Sequence, residues 1–161
     1  MTNSAIAAVA PTRKGSSIAR SKATLWRGAA VTAVAAVLFP RLNAVLHEGQ
    51  AFWQVDTEAA VLIPIIVALT LALFAAVGSW AWRGERNRPA TVALACGVLA
   101  IAGVVAFFVS APIVFGGLAV TLGAEGRRRS VSEGKATRAL GALVLGTVAV
   151  IGGAAIWLVG I

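Results

Sequence analysis

The chain predicts an all-α integral membrane protein, a compact bundle of four to five transmembrane segments, and three observations carry that prediction. Hydrophobic residues make up 59% of its 161 residues and charged residues 12%, with a mean hydropathy of +0.89; a soluble domain carries about 25% charged residues. The apolar residues form continuous uncharged runs. Hydrocarbon admits helices and closed β-barrels only, and barrel strands alternate polar and apolar residues over about 9–11 positions, so the runs select helices. The cations, finally, collect between the runs rather than within them.

Residues 1–24 mix Ser, Thr, Ala and Gly with Arg13, Lys14, Arg20 and Lys22 and show no sustained periodicity, which predicts a disordered basic tail. The early apolar stretch Ala5 to Ala10 precedes those cations and is shorter than a signal-peptide core of about 7–15 residues, so the tail is expected to stay on the mature chain. Residues 25–161 form the bundle, with no room for a separate soluble domain.

The first span covers residues 25–46, with Trp26 and Arg27 at its start and Pro40 and Arg41 near its end. The polar segment that follows carries Glu48, Asp56 and Glu58 but no Lys or Arg. The second span covers 59–82 and stops at Arg83; Arg86, Arg88 and Pro89 complete the connection. From Pro89 to Ala124 there are 36 residues without a charge, about 54 Å as one helix against a hydrocarbon core of about 30 Å. Ser110-Ala111-Pro112 offers a break, because Ser caps helices and Pro is tolerated in a first turn. A tight hairpin is expected, with arms at 90–109 and 113–126. The second arm is short, about 21 Å. After the arginine cluster, the last span covers 139–161.

Lys and Arg accumulate in cytoplasmic loops. Five segments put thirteen of the fourteen Lys and Arg on the cytoplasmic side, all but Arg41. Four segments would export the loop at 127–138 with its five cations. Five are favoured, with the N-terminus cytoplasmic and the protein multi-pass in a bacterial cell membrane. A re-entrant hairpin is the alternative for the short arm.

Candidate functional residues fall into three groups. Arg127, Arg128, Arg129, Lys135 and Arg138 form a basic cluster expected to contact anionic lipid headgroups. Arg41 and Glu58 are the charges placed in or beside apolar spans, where an ionisable side chain is a functional candidate by default; near a helix end Arg41 is expected to snorkel outward and clasp Glu48, Asp56 or Glu58. Gly97, Gly123, Gly146 and Gly153 each follow Ala by four residues, a spacing that puts two small residues on one helix face and lets backbones approach closely. Packing within the bundle is the first reading of those faces, self-association the second.

The one histidine, His47, has no ligand partners at metal-binding spacing, and Cys96, the one cysteine, excludes an intrachain disulfide. No cofactor is expected. The net charge of +8 would suggest nucleic acid in a soluble protein, but here the cations flank membrane runs and are already accounted for by lipid and insertion.

Val92 to Gly160 resembles a domain of unknown function found in small bacterial, especially actinobacterial, integral membrane proteins. The likeness rests on Gly97-Val98-Leu99-Ala100, on Pro112 to Ala119, on the Arg127 cluster, and on Arg138 to Gly146. It implies a tight apolar hairpin, a basic loop and a final glycine-bearing helix, and it supplies no catalytic residues. The expected function is a non-enzymatic packing or accessory component, partnered by membrane lipids and by itself or a larger membrane complex. A small transporter or channel-like oligomer is the alternative, motivated by Arg41, Glu58 and Pro64.

Overall fold

A computed structural model describes residues 14–83, 88–105, 110–129 and 133–159, and every regular element among them is helical. Helix α1 is Lys14–His47. A rod from Thr57 to Arg83 is built from α2 (Thr57–Leu73), a π-helical turn (Phe74–Gly78) and α3 (Ser79–Arg83). Then come α4 (Arg88–Val105), α5 (Ala111–Arg129) and α6 (Glu133–Val159). Three stretches, Lys22–His47, Thr57–Arg83 and Ala136–Val159, are long and apolar enough to cross a membrane.

The hairpin expected from the 36-residue uncharged tract is present as α4 and α5. Ser110 precedes the second arm: its carbonyl accepts the first intrahelical bond, from Val114 N at 3.1 Å, while its Oγ has no hydrogen-bond partner among the described residues, so the expected side-chain cap is not made. Pro112 sits in the first turn, where its missing N–H is no loss. Pro40 and Pro64 lie inside α1 and α2 without ending them.

Helix ends differ from expectation in two places. The basic segment at 14–24, read as disordered tail, belongs to α1; it holds no proline, and the helix nucleated by the apolar span propagates back through Ala, Arg and Lys at little cost. Residues 1–13 of that tail lie outside the described residues. Helix α5 continues to Arg129, which turns the supposed loop arginines into a last helical turn. Cations there meet the negative end of the helix dipole, and the 19-residue helix reaches about 28 Å instead of 21 Å.

Helix α5 is the hub. Pro112, Ile113, Val114, Gly116, Leu118, Ala119, Leu122, Gly123 and Gly126 are all buried along it, because small residues let three neighbours approach at once. Gly126 lies against Ala90 of α4, where an added Cβ would meet Ala90 Cα at 3.0 Å. A Cβ on Gly116 would meet the Gly146 carbonyl of α6 at 2.8 Å. Toward α1, two reciprocal pairs interlock, Gly28 with Thr121 and Gly117 with Thr32. Thr121 Oγ1 donates to Gly117 O at 2.8 Å within its own helix, so the hydroxyl enters the interface already satisfied.

These registers fix relative direction. Gly126 near Ala90 and Gly103 near Pro112 make α4 and α5 antiparallel; Gly123 near Ala139 and Gly153 near Pro112 do the same for α5 and α6; Gly78 near Leu25, with Ile66 in one cluster with Ala36 and Phe39, does so for the 57–83 rod and α1. Helices α1, α4 and α6 therefore run one way, the 57–83 rod and α5 the other. Lys22, Arg27, Arg83, Arg88 and Arg127 to Arg129 share one end, called here the basic end.

Candidate functional site

The basic end is organised around Arg129. Its Nε donates to Glu125 Oε1 at 2.8 Å, one helical turn back, and its NH1 donates to Trp82 O at 3.0 Å. The guanidinium also lies 5.6 Å from the centroid of the Trp82 ring. One side chain thus ties the end of α5 to the end of α3 by a hydrogen bond to the backbone and a cation–π contact, while the charged hydrogen bond to Glu125 within α5 orients it. Arg88, at the start of α4, lies 4.9 Å over the Trp80 ring and draws α4 to α3. Arginine suits both positions, since its planar fork stacks on indole and donates in several directions.

Glu125 was not singled out by the sequence, and it is buried. Placed between an apolar tract and three arginines, it reads as one more charge at a membrane boundary. The i, i+4 spacing to Arg129 was the available signal, and burial turns an ordinary helix pair into an anchor.

The cations expected to contact lipid separate into distinct environments. Arg127 and Arg128 are exposed and Arg129 is half-buried. Arg138 is exposed on α6; the backbone at Lys135 is part of α6, and Arg86 lies outside the described residues. The basic cluster is therefore the junction of two helix ends rather than a loop.

Beside Arg129 a crevice of about 640 Å³ opens between α1 and the rod. Lys22, Arg83 and Arg129 reach it from three helices, and Leu25 and Ala75 supply apolar wall. The π turn shapes it: adding a residue to the helical turn brings Phe74 and Gly78 into buried positions facing the bundle, with Gly78 against the Leu25 side chain.

At the opposite end, Arg41 is buried and its NH2 donates to Phe52 O at 2.7 Å, Gln54 O at 2.6 Å and Ala51 O at 3.3 Å. The clasp expected with Glu48, Asp56 or Glu58 is thus made to backbone carbonyls. The carboxylates have other positions. Glu48 accepts from Gln50 Nε2 at 2.8 Å, Asp56 caps α2 by accepting from Ala59 N at 2.7 Å, and Glu58 stands exposed in the first turn of α2, where it complements the helix dipole. A turn that leaves three carbonyls converging needs a donor with reach, and a guanidinium supplies one. Nearby, Asn43 Nδ2 donates to Trp157 O at 2.5 Å, and His47 Nε2 lies 3.0 Å from Leu158 O, so the ends of α1 and α6 are tied together.

The four glycines at small-residue spacing all lie at helix contacts within the chain. An added Cβ would meet Leu145 Cβ at 3.0 Å from Gly97, Leu143 Cγ at 3.1 Å from Gly123, Gly116 O at 2.8 Å from Gly146 and Pro112 Cβ at 3.1 Å from Gly153. Their alanine partners Ala93, Ala119, Ala142 and Ala149 are fully buried. No family model, curated protein or solved structure matches this chain.

Proposed function

We propose that this chain is a non-enzymatic, multi-pass protein of a bacterial cell membrane that serves as a packing or accessory component, associating with itself or with a larger membrane complex. The distribution of apolar surface carries this reading. The small-residue faces of α4, α5 and α6 close on one another, whereas the rod at 57–83 sits outside them with only 11% of its most apolar stretch buried. Val61, Leu62, Ile65 and Leu69 are exposed along it, a surface that lipid or a second helix would cover.

Five crossings, with the basic end cytoplasmic, are the topology that agrees with the alternation of helix directions and with the positive-inside bias. Helix α5 spans with the help of its last turn, whose arginines reach toward headgroups. The interior polar groups support a structural role: Arg41 holds the turn at 51–54, Arg129, oriented by Glu125 of its own helix, holds α5 to α3, and Asn43 holds α1 to α6. The transport alternative rests on Arg41 and Glu58, one already bonded to backbone and the other exposed.

Single cysteines at Leu62 or Leu69, in a Cys96→Ala background, test association by oxidative crosslinking in native membranes, with Val148 of α6 as the reference position. Crosslinked species from the α2 positions in excess of those from Val148 are expected. Monomer alone from every position, together with a strictly monomeric protein in mild detergent, refutes the reading.

A further inference from the structure

We propose that the crevice between the basic ends of α1 and α3 binds the phosphate-bearing headgroup of an anionic phospholipid, with the first segment of an acyl chain along its apolar wall. The inference rests on the membrane placement proposed above and goes beyond it by assigning a discrete site. Lys22, Arg83 and Arg129 come from three separate helices to one cavity of about 640 Å³. Glu125 already shares the charge of Arg129 at 2.8 Å, so Lys22 and Arg83, both exposed, are the cations that select an anion.

The other lining groups argue for a lipid over a soluble anion. Leu25 is 5% exposed and forms part of the cavity floor. Trp26 stands half-exposed at its side, and indoles favour the level of the headgroups. A phosphate site for a soluble ligand is closed by backbone N–H groups or polar side chains. Here the one hydroxyl of the lining, Ser79, faces its own helix through a contact to Ala76 O at 3.4 Å, and the cations lie beside Leu25, Trp26 and Ala75, which suits a molecule with a charged head and an apolar tail. Arg127, Arg128 and Arg138 are exposed and supply diffuse attraction to any anionic surface.

The experiment uses the full chain in vesicles, with Trp53, Trp80 and Trp157 replaced by Phe so that Trp26 and Trp82 report. Fluorescence quenching by brominated phosphatidylglycerol is compared with quenching by brominated phosphatidylcholine, and vesicle flotation verifies insertion. A preference for phosphatidylglycerol of about twenty-fivefold is expected, since Lys22 and Arg83 each contribute roughly fivefold as surface cations. Lys22→Gln with Arg83→Gln lowers it to nearly equal quenching, while Arg128→Gln with Arg138→Gln retains most of it, and so does the charge-conserving pair Lys22→Arg with Arg83→Lys.

Equal quenching by both lipids in the parent chain overturns the proposal, as does equal loss in the two glutamine pairs, which means diffuse attraction. Loss in the charge-conserving pair overturns it too. Relief of quenching by inorganic phosphate at constant ionic strength reassigns the site to a soluble anion and overturns the lipid assignment. Failure to float with vesicles of phosphatidylcholine alone defeats the membrane placement instead, so the two readings fail separately.

Discussion

Arg129 and Arg128 are neighbours of the same residue type with opposite surroundings, and that contrast is open to measurement. Arg129 bonds Glu125 and Trp82 O; Arg128 is exposed. A hydrogen bond to a charged group contributes about 1.5–3 kcal/mol, while an exposed ion pair contributes about 0–1 kcal/mol. Arg129→Ala is therefore expected to lower unfolding stability in detergent by about 1–3 kcal/mol, Arg128→Ala by less than about 0.5 kcal/mol. Glu125→Ala should resemble Arg129→Ala, and the double variant should cost less than the sum, because the partners share one interaction. Denaturant titration followed by tryptophan fluorescence reads all four proteins; equal effects at Arg128 and Arg129 would mean that the anchor contributes nothing. The spacing from Glu125 to Arg129 is visible in the sequence, but burial decides its worth, and burial comes from helices remote in the chain.

At the scale of elements, the glycines of α5 and α6 make the close contacts and separate structural glycines from incidental ones. Gly116 and Gly146 face each other's carbonyls at a built Cβ distance of 2.8 Å, and backbone cannot move aside as a side-chain tip can. Gly141 has Leu94 Cδ1 at 3.7 Å as its nearest neighbour. Gly116→Ala is expected to destabilise by about 1–3 kcal/mol, the usual cost of overpacking. Gly141→Ala should be neutral or mildly stabilising, since Ala is the better helix former by about 1 kcal/mol in water. Thermal unfolding in one detergent compares them. Spacing alone flags Gly146 through Ala142 and leaves Gly116 unmarked, because the residues four positions either side of it, Pro112 and Val120, are not small. The π turn at 74–78 is likewise silent in the sequence: FAAVG reads as ordinary apolar helix, and only packing of Phe74 and Gly78 toward the bundle gives the extra residue a reason.

For the whole molecule, the alternation of helix directions places the α5–α6 connection on the same side as the start of α1. A reporter active only in the cytoplasm, inserted at Ser130, is expected to be active, and the same reporter after Ile161 inactive. A periplasmic reporter should give the reverse. Periplasmic activity at Ser130 would mean that α4 and α5 do not both cross, and the topology would fall to four segments. The ties from Asn43 to Trp157 and from His47 to Leu158 add an independent expectation, that the ends of α1 and α6 share one face.

The helical class, the apolar runs and the hairpin break at Ser110 to Pro112 are determined by the sequence, because insulation from water demands internally bonded backbone and a 36-residue uncharged tract exceeds one crossing. Charge counting also predicts a direction for each run, since insertion senses local Lys and Arg. What the tertiary structure decided is which of these local features is used by a neighbour: that α5 is the hub, that Arg41 serves carbonyls instead of carboxylates, that Glu125 is buried, and that Lys22, Arg83 and Arg129 meet at one crevice. Lipid gives helices no hydrophobic reason to choose one face over another, so hydropathy carries no record of those choices. They are made by close steric fit and hydrogen bonds between residues far apart in the chain.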